Sequence, residues 1–305
     1  MRATVLVLAA LCLVPFACSS GPSGGTSEGT GGAGATGGEG QGGSAGSGGA
    51  GGQGGAGGQG GAGGGMSEIF VPAVGTTWQW QLSGLPIDTS IDVAIYDIDL
   101  FETTPEQIAK LHGDGRKVIC YFSAGSYEEY RPDAGDFPAE VKGSPLDAPF
   151  QDELWIDIRT TVVRDIMNKR LDLAVQKGCD AVEPDNVDGY TNDNGLSLTA
   201  ADQLEFNRYI AKQAHARGLS VGLKNDLEQL DELAPDFDWA LNEECFTYDE
   251  CGLYKDNFLA ANKAVFHAEY VEPNQLGAVC AVTKPLGLST LIKNIELDAF
   301  RLPCP

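Results

Sequence analysis

Two acidic segments hold the residues best suited to chemistry. In the first, the apolar run Cys179 to Val182 breaks at Pro184 and presents Asp185, Asn186 and Asp188. In the second, Trp239-Ala-Leu241 runs into Asn242, Glu243 and Glu244, with 58 positions between Asp185 and Glu243. Proline has no N–H to give to a sheet ladder, so the first strand should end about there. Functional groups at the C-terminal ends of strands are how a β/α barrel builds an active site. Two carboxyl groups facing one cleft can cleave an acetal: one protonates the leaving oxygen while the other attacks carbon or activates water. Asp185 and Glu243 are the pair expected to do this. Strand alternation lets only one of Glu243 and Glu244 point inward, which keeps Glu244 as a substitute or a substrate contact.

The elements that must position these groups form a regular series. Apolar runs at 93–98, 117–122, 154–158, 180–183, 220–223, 239–241, 264–269 and 288–293 predict strands. Helical patterns lie between them. Thr104-Pro105 opens one, 162–177 followed by Gly178 forms a second, and 199–217 followed by Gly218 a third. Repeated strand–helix alternation means a parallel sheet, and eight repeats favour a closed (β/α)8 TIM barrel over residues 67–305. An open doubly wound sheet is the alternative, weakened because no GxGxxG follows the first strand. The opening Trp78-Gln-Trp-Gln-Leu82 is expected to plug or border the barrel.

The predicted strand ends supply further polar groups. Asp97 and Asp99 share one face of strand one. Tyr121 and Ser123 end strand two, Asp157 strand three, Asn186 and Asp188 strand four, Lys224 and Asn225 strand five, and Glu269 strand seven. Each is expected to contact substrate, with Lys224 either orienting a carboxylate or neutralising acid density. Carboxylates, amides and aromatic faces together suit a polyhydroxylated ligand. Serine-nucleophile chemistry fits poorly, since Ser123 has no evident histidine partner and no GxSxG elbow occurs. With three His and no CxxC, no metal site and no cofactor are expected.

The rest of the chain describes delivery. Arg2, the apolar run 5–14 and Ala17-Cys18 read as an export signal over 1–18, with Cys18 as a lipidation candidate; cleavage near Ala17 without a lipid is the plainer alternative. Residues 21–65 hold 26 of the 41 glycines, so 19–66 is expected to be a flexible tether. Six cysteines follow, an even number that suits disulfides in an exported domain. Cys245–Cys251 and Cys280–Cys304 are the expected pairs, while Cys120 and Cys179 either pair or stay as buried thiols. The formal charge of −23 disfavours nucleic acid and anionic membrane as partners and favours cationic ligands. Membrane contact is expected only through the lipid, and a monomer is the simplest assembly.

Several long motifs also carry a resemblance. They are Lys117-Val-Ile-Cys-Tyr-Phe-Ser-Ala-Gly125, Trp155-Ile-Asp-Ile-Arg159, the run 180–190, the run 214–226 and Asn242-Glu-Glu-Cys245. Together they resemble glycoside hydrolase family 114, the endo-α-1,4-polygalactosaminidases with a TIM-barrel domain. The resemblance spans nearly all of 76–300. It implies a catalytic Asp at Asp185 and a catalytic Glu at Glu243, and it places Cys245 and Cys251 in the family's Cys-bearing loop. It also implies the substrate, a cationic galactosamine-rich polysaccharide of the kind found in biofilm matrix. A barrel that binds such a polymer without cleaving it, and an α-glycosidase of other specificity, remain as alternatives.

Overall fold

A computed structural model describes residues 69–305. The export signal, the Gly-rich tether and Cys18 lie outside the described residues. In chain order the elements are β1 (Trp78–Gln81), β2 (Ile95–Asp99), α1 (Pro105–Gly113), β3 (Lys117–Ser123), β4 (Ser126–Glu128), β5 (Lys142–Pro145), β6 (Glu153–Ile156), α2 (Thr161–Lys177), β7 (Ala181–Asp185), α3 (Ala200–Ala216), β8 (Ser220–Lys224), α4 (Leu230–Leu233), β9 (Trp239–Glu243), β10 (Val265–Glu269), α5 (Leu276–Leu286), β11 (Ser289–Ile292) and β12 (Leu302–Pro303).

The main sheet runs β1-β2-β3-β7-β8-β9-β10-β11, parallel throughout, with β12 antiparallel on its last edge. Helix boundaries follow local chemistry. Thr104 and Gln107 form a capping box before α1, and Thr199 and Asp202 form one before α3. Gly178, at φ 91°, ends α2 in a left-handed conformation that a side chain would oppose.

Alternation along the strands sorts the core into two layers. Trp78, Trp80, Ile95, Ile119, Ala181, Trp239, Leu241, Phe266 and Leu291 pack together inside the curl. The intervening residues, such as Tyr96, Ile98, Val118, Phe122, Val182, Val221 and Ala240, join the helices in an outer core. The inner layer needs a glycine. A Cβ on Gly222 would lie 2.3 Å from the Trp239 ring, so only glycine lets that indole cross the barrel.

Two expectations about strands are overturned, and the number of parallel strands survives both. Residues 154–158 are not the third barrel strand. Glu153–Ile156 instead pairs antiparallel with β4 and β5 in a separate three-stranded sheet inserted between β3 and α2. The missing place is taken by Trp78–Gln81, which is the first strand of the barrel rather than a plug. Its two glutamines, Gln79 and Gln81, are fully buried. Gln81 ties down the turn that follows, through Ser83, Gly84 and Asp88, while Gln79 serves the seam between the first and last strands. Gln79 donates to the Ala299 carbonyl, Leu82 N–H to the Leu297 carbonyl, Arg301 to the Trp78 carbonyl and Trp78 Nε1 to the Ser289 carbonyl. Lys293 anchors the same strap by donating to the carbonyls of Asp298 and Phe300.

Three disulfides join Cys120 to Cys179, Cys245 to Cys251 and Cys280 to Cys304. The first links β3 to the residues entering β7, the second closes the loop after β9, and the third ties the strap to α5. Such cysteine usage is that of an exported protein. Cys245, Cys251 and His267 have metal-ligand spacing, but the two sulfurs are already bonded to each other.

Candidate active site

A cleft of about 740 Å³ opens over the C-terminal ends of the parallel strands. Its centre is one ammonium. Lys224, at the end of β8, is 2 % exposed and places Nζ 3.0 Å from a carboxylate oxygen of each of Glu183, Asp185 and Glu243. The Lys224 ammonium also lies 4.7 Å from the Trp80 ring centroid. Burial alone would strip its proton, but the surrounding carboxylates hold its pKa well above the ordinary lysine value.

The pair singled out from the sequence meets here. Both Asp185 and Glu243 line the cleft and are partly exposed to it, by 18 % and 25 % of their side chains. Two contacts of 3.0 Å to one nitrogen bring their nearest oxygens within about 6 Å of each other. Asp185 accepts from Lys224, from the Tyr121 hydroxyl at 3.0 Å and from the Asn186 N–H at 2.7 Å. Glu243 accepts from Lys224 and from the Tyr270 hydroxyl. Burial and these neighbouring carboxylates push both tyrosines well above the ordinary phenol value, so each stays a donor.

The backbone presents these side chains by the same device three times. Asp185, Lys224 and Glu243 each end a strand, and the next residue is left-handed: Asn186 at φ 58°, Asn225 at 45° and Glu244 at 63°. Each turn stops the ladder at once and leaves the last inward side chain at the rim. Strained residues of this kind cluster at functional sites. Asn225 uses the turn to accept from the Glu243 N–H at 2.9 Å. Gly125 is required beside Asn186, since a Cβ there would lie 1.7 Å from the Asn186 carbonyl oxygen.

Beneath the cleft lies a dry carboxyl pair. Asp97 and Glu183 are fully buried, and neither Asp97 oxygen meets a donor elsewhere among the described residues. Burial, followed by the facing Glu183 charge, drives the Asp97 pKa well up. The same burial lifts Glu183 to about 7 despite Lys224. Asp97 is therefore the protonated member and supports Glu183 rather than touching a ligand.

Other expected contacts sort cleanly. Asp99, Tyr121, Asn186, Asp188, Lys224 and Asn225 line the cleft. Burial raises Asp188 to about 6. Ser123 is buried behind the wall, where its hydroxyl receives Asn186 Nδ2 at 2.9 Å. Asp157 belongs to the inserted sheet's exit and is clamped by Arg159 at 2.7 and 2.9 Å, away from the cleft. Glu244 is itself the left-handed residue after β9 and does not line the cleft. Glu269 has the outward parity of β10: it is buried, receives His267 and caps the Phe246 and Thr247 N–H groups. Those bonds outweigh burial and hold its carboxyl below the ordinary value. The inward parity of β10 instead leads through Phe266 and Ala268 to Tyr270, the partner of Glu243.

The walls also carry residues not singled out as site residues from the sequence: Trp80, Tyr130, Arg131, Phe150, Glu153, Trp155 and Glu296 among them. In all, nine carboxylates line the cleft against two cations, Arg131 and Lys224. Both cations are engaged, Arg131 with Asp99 and Glu128 at 2.7 Å each.

A parallel barrel with two carboxylates converging at its strand ends defines a glycosidase-type site. The sequence profile of glycoside hydrolase family GH114 matches residues 64–305, and the chain belongs to that family. Among solved structures, Ega3 of Aspergillus fumigatus, crystallised with galactosamine, is similar at 45 % identity and a TM-score of 0.74, over 78 % of this chain and 98 % of that one. The glycoside hydrolase domain of PelA from Pseudomonas aeruginosa shares the fold at 15 % identity and a TM-score of 0.60, over 74 % of this chain and 97 % of that domain. Comparison with curated protein sequences gives no significant match.

Proposed function

We propose that this glycoside hydrolase is exported and cleaves α-1,4-linked, galactosamine-rich polysaccharide internally, by a retaining mechanism with Asp185 as nucleophile and Glu243 as acid/base. The observation that carries the mechanism is the shared ammonium. Oxygens held within about 6 Å fit a retaining enzyme, whose carboxyl groups stand about 5–5.5 Å apart, better than an inverting one at about 6.5–9.5 Å. Asp185 has three donors, which stabilise the carboxylate as an anion and leaving group. Glu243 has two and is the more exposed.

In the first step Glu243 gives its proton to the bridging oxygen as the C1–O bond breaks. Asp185 forms a bond to C1 through one oxygen; Lys224 and the Asn186 N–H stand on one of its oxygens and the Tyr121 hydroxyl on the other, so a donor remains on whichever oxygen does not bond. In the second step Glu243 takes a proton from water, the water oxygen bonds to C1, and Asp185 leaves as carboxylate. Tyr270 fixes the Glu243 carboxyl through both steps.

The substrate class rests on charge and on relatives. Nine carboxylates against two engaged cations favour a polycation. The similar Ega3 was crystallised with galactosamine. A volume of about 740 Å³ suits a stretch of chain better than one monosaccharide. Lipidation at Cys18 and the Gly-rich stretch would tether the enzyme, as a monomer, to the envelope.

Incubation of the protein with deacetylated galactosamine polymer, with new reducing ends followed in time, tests the activity. NMR of the first-formed product should show the α anomer. A β product would replace retention with inversion, and no new ends would leave a carbohydrate-binding barrel. Palmitate labelling that persists in Cys18→Ala would remove the anchor.

A further inference from the structure

The inserted sheet places two carboxylates face to face beside the reacting pair. Glu128 on β4 and Glu153 on β6 are direct cross-strand partners, so their side chains stand on one face, and both line the cleft. Like charges in this position ordinarily destabilise a sheet. Nothing among the described residues relieves them fully. Arg131 and the Tyr130 hydroxyl approach only Oε1 of Glu128, at 2.7 and 2.6 Å. Glu128 is 2 % exposed, and its Oε2 has no donor among the described residues. Glu153 receives a single hydrogen bond, from Ser126 Oγ at 2.6 Å.

We infer that Glu128 and Glu153 form an amine-recognition subsite, which takes the ammonium of a galactosaminyl unit next to the scissile bond. The inference rests on the polygalactosamine reading above. A cation seated there would satisfy Glu128 Oε2 and cancel the cross-strand repulsion at once. The uncombined state shows the matching cost: burial, then the Glu128 and Asp185 charges, raise Glu153 to about 7. Trp155, two positions from Glu153 on the same face of β6, lines the cleft and offers a ring for the sugar.

The subsite is wired to the reacting carboxylates. Ser126 Oγ joins Glu153 to Ser123 Oγ at 2.6 Å, and Asn186 Nδ2 donates to Ser123 Oγ at 2.9 Å. Asn186 follows Asp185 directly. A sugar ammonium seated there lies one short chain of hydrogen bonds from Asp185, which places the subsite beside the reacting pair.

Two measurements test this on the intact protein. On deacetylated galactosamine oligomers, Glu153→Gln should raise KM about tenfold or more while kcat changes little, because one charge-assisted contact is lost from binding. Asp152→Asn removes an equal charge one residue away, on a side chain outside the cleft, and should shift KM less than about twofold under salt screening. Equal effects of the two variants would reduce the pair to part of a general field and overturn the subsite. The second measurement needs no turnover: titration of galactosamine and of galactose, followed by tryptophan fluorescence. Wild type should prefer the amine sugar about tenfold, and Glu153→Gln should close the gap. A preference that survives Glu153→Gln overturns the subsite. Amine preference without polymer cleavage would instead keep the subsite and remove the function proposed above. Glu128→Gln keeps an oxygen for Arg131 and should repeat the effect; if it fails to fold, Glu153→Gln still decides.

Discussion

The lower and upper halves of the barrel interior are built on the same strands with the same inward parity, yet they differ completely. Two residues along β7 turn Ala181 into Glu183, and two more into Asp185. On β8 Gly222 gives way to Lys224, and on β9 Leu241 to Glu243. Below, indoles and aliphatic side chains fill the space, with Trp78 and Phe266 rings 4.8 Å apart and Trp239 edge-on to Phe266 at 5.4 Å. Above, three carboxylates crowd one ammonium. The lower layer gains free energy by excluding water. The upper layer gives some back to hold charge where a reaction needs it.

The contrast can be broken at either layer. The largest effects belong to the reacting pair: Asp185→Asn and Glu243→Gln should each lower kcat by about 10²–10⁴-fold with little change in melting. Either variant cleaving at the wild-type rate would end the assignment. Lys224→Met should damage both properties, costing about 3–5 kcal/mol in urea unfolding by leaving three carboxylates without their partner, as well as activity. Trp239→Ala should cost about 3–5 kcal/mol while the folded fraction keeps its kcat, which separates the layers. Gly222→Ala should cost about 1–3 kcal/mol through its clash with the same indole.

The mildest test is pH. Burial lifts Asp97 well above its ordinary value, Asp226 to about 7 and Asp188 to about 6, from an ordinary 3.8. Between roughly pH 4 and 7 the folded state therefore holds more protons than the unfolded chain, and stability must fall as pH rises through that window. Melting should be a few degrees lower at pH 8 than at pH 5. Asp226→Asn should flatten the slope, and a melting temperature rising with pH would contradict the burial of these acids.

Much of this was legible beforehand because strand ends announce themselves. Pro184, the acids after it and the Trp239-Ala-Leu run located β7, β9 and the two carboxylates that meet at Lys224, and both expected disulfides formed. The errors arose where a local pattern has two tertiary solutions. Leu154–Ile158 is a short apolar run, and nothing in it distinguishes a parallel barrel strand from an antiparallel insert. Trp78–Leu82 alternates as a half-solvated strand does, because Gln79 answers a backbone group 220 positions away and Gln81 the turn that follows it. Glu269 and Tyr270 both follow the seventh apolar run, and counting parity from Phe266 picks the tyrosine. Glu128 stands among the polar groups after the second predicted strand, but Glu153 gives no signal, since their pairing depends on the register of the inserted sheet.

The strap at 297–303 carries a consequence for biogenesis. Until that stretch has emerged, the sheet is a curled strip with two raw margins, one of them rich in tryptophan. Synthesis proceeds from the other end, so a chain that folds as it is made has an unclosed stage. Its last joint is made late and then locked by Cys304. Passage through that stage unclumped therefore depends on oxidising conditions and escort at the destination as much as on the finished core.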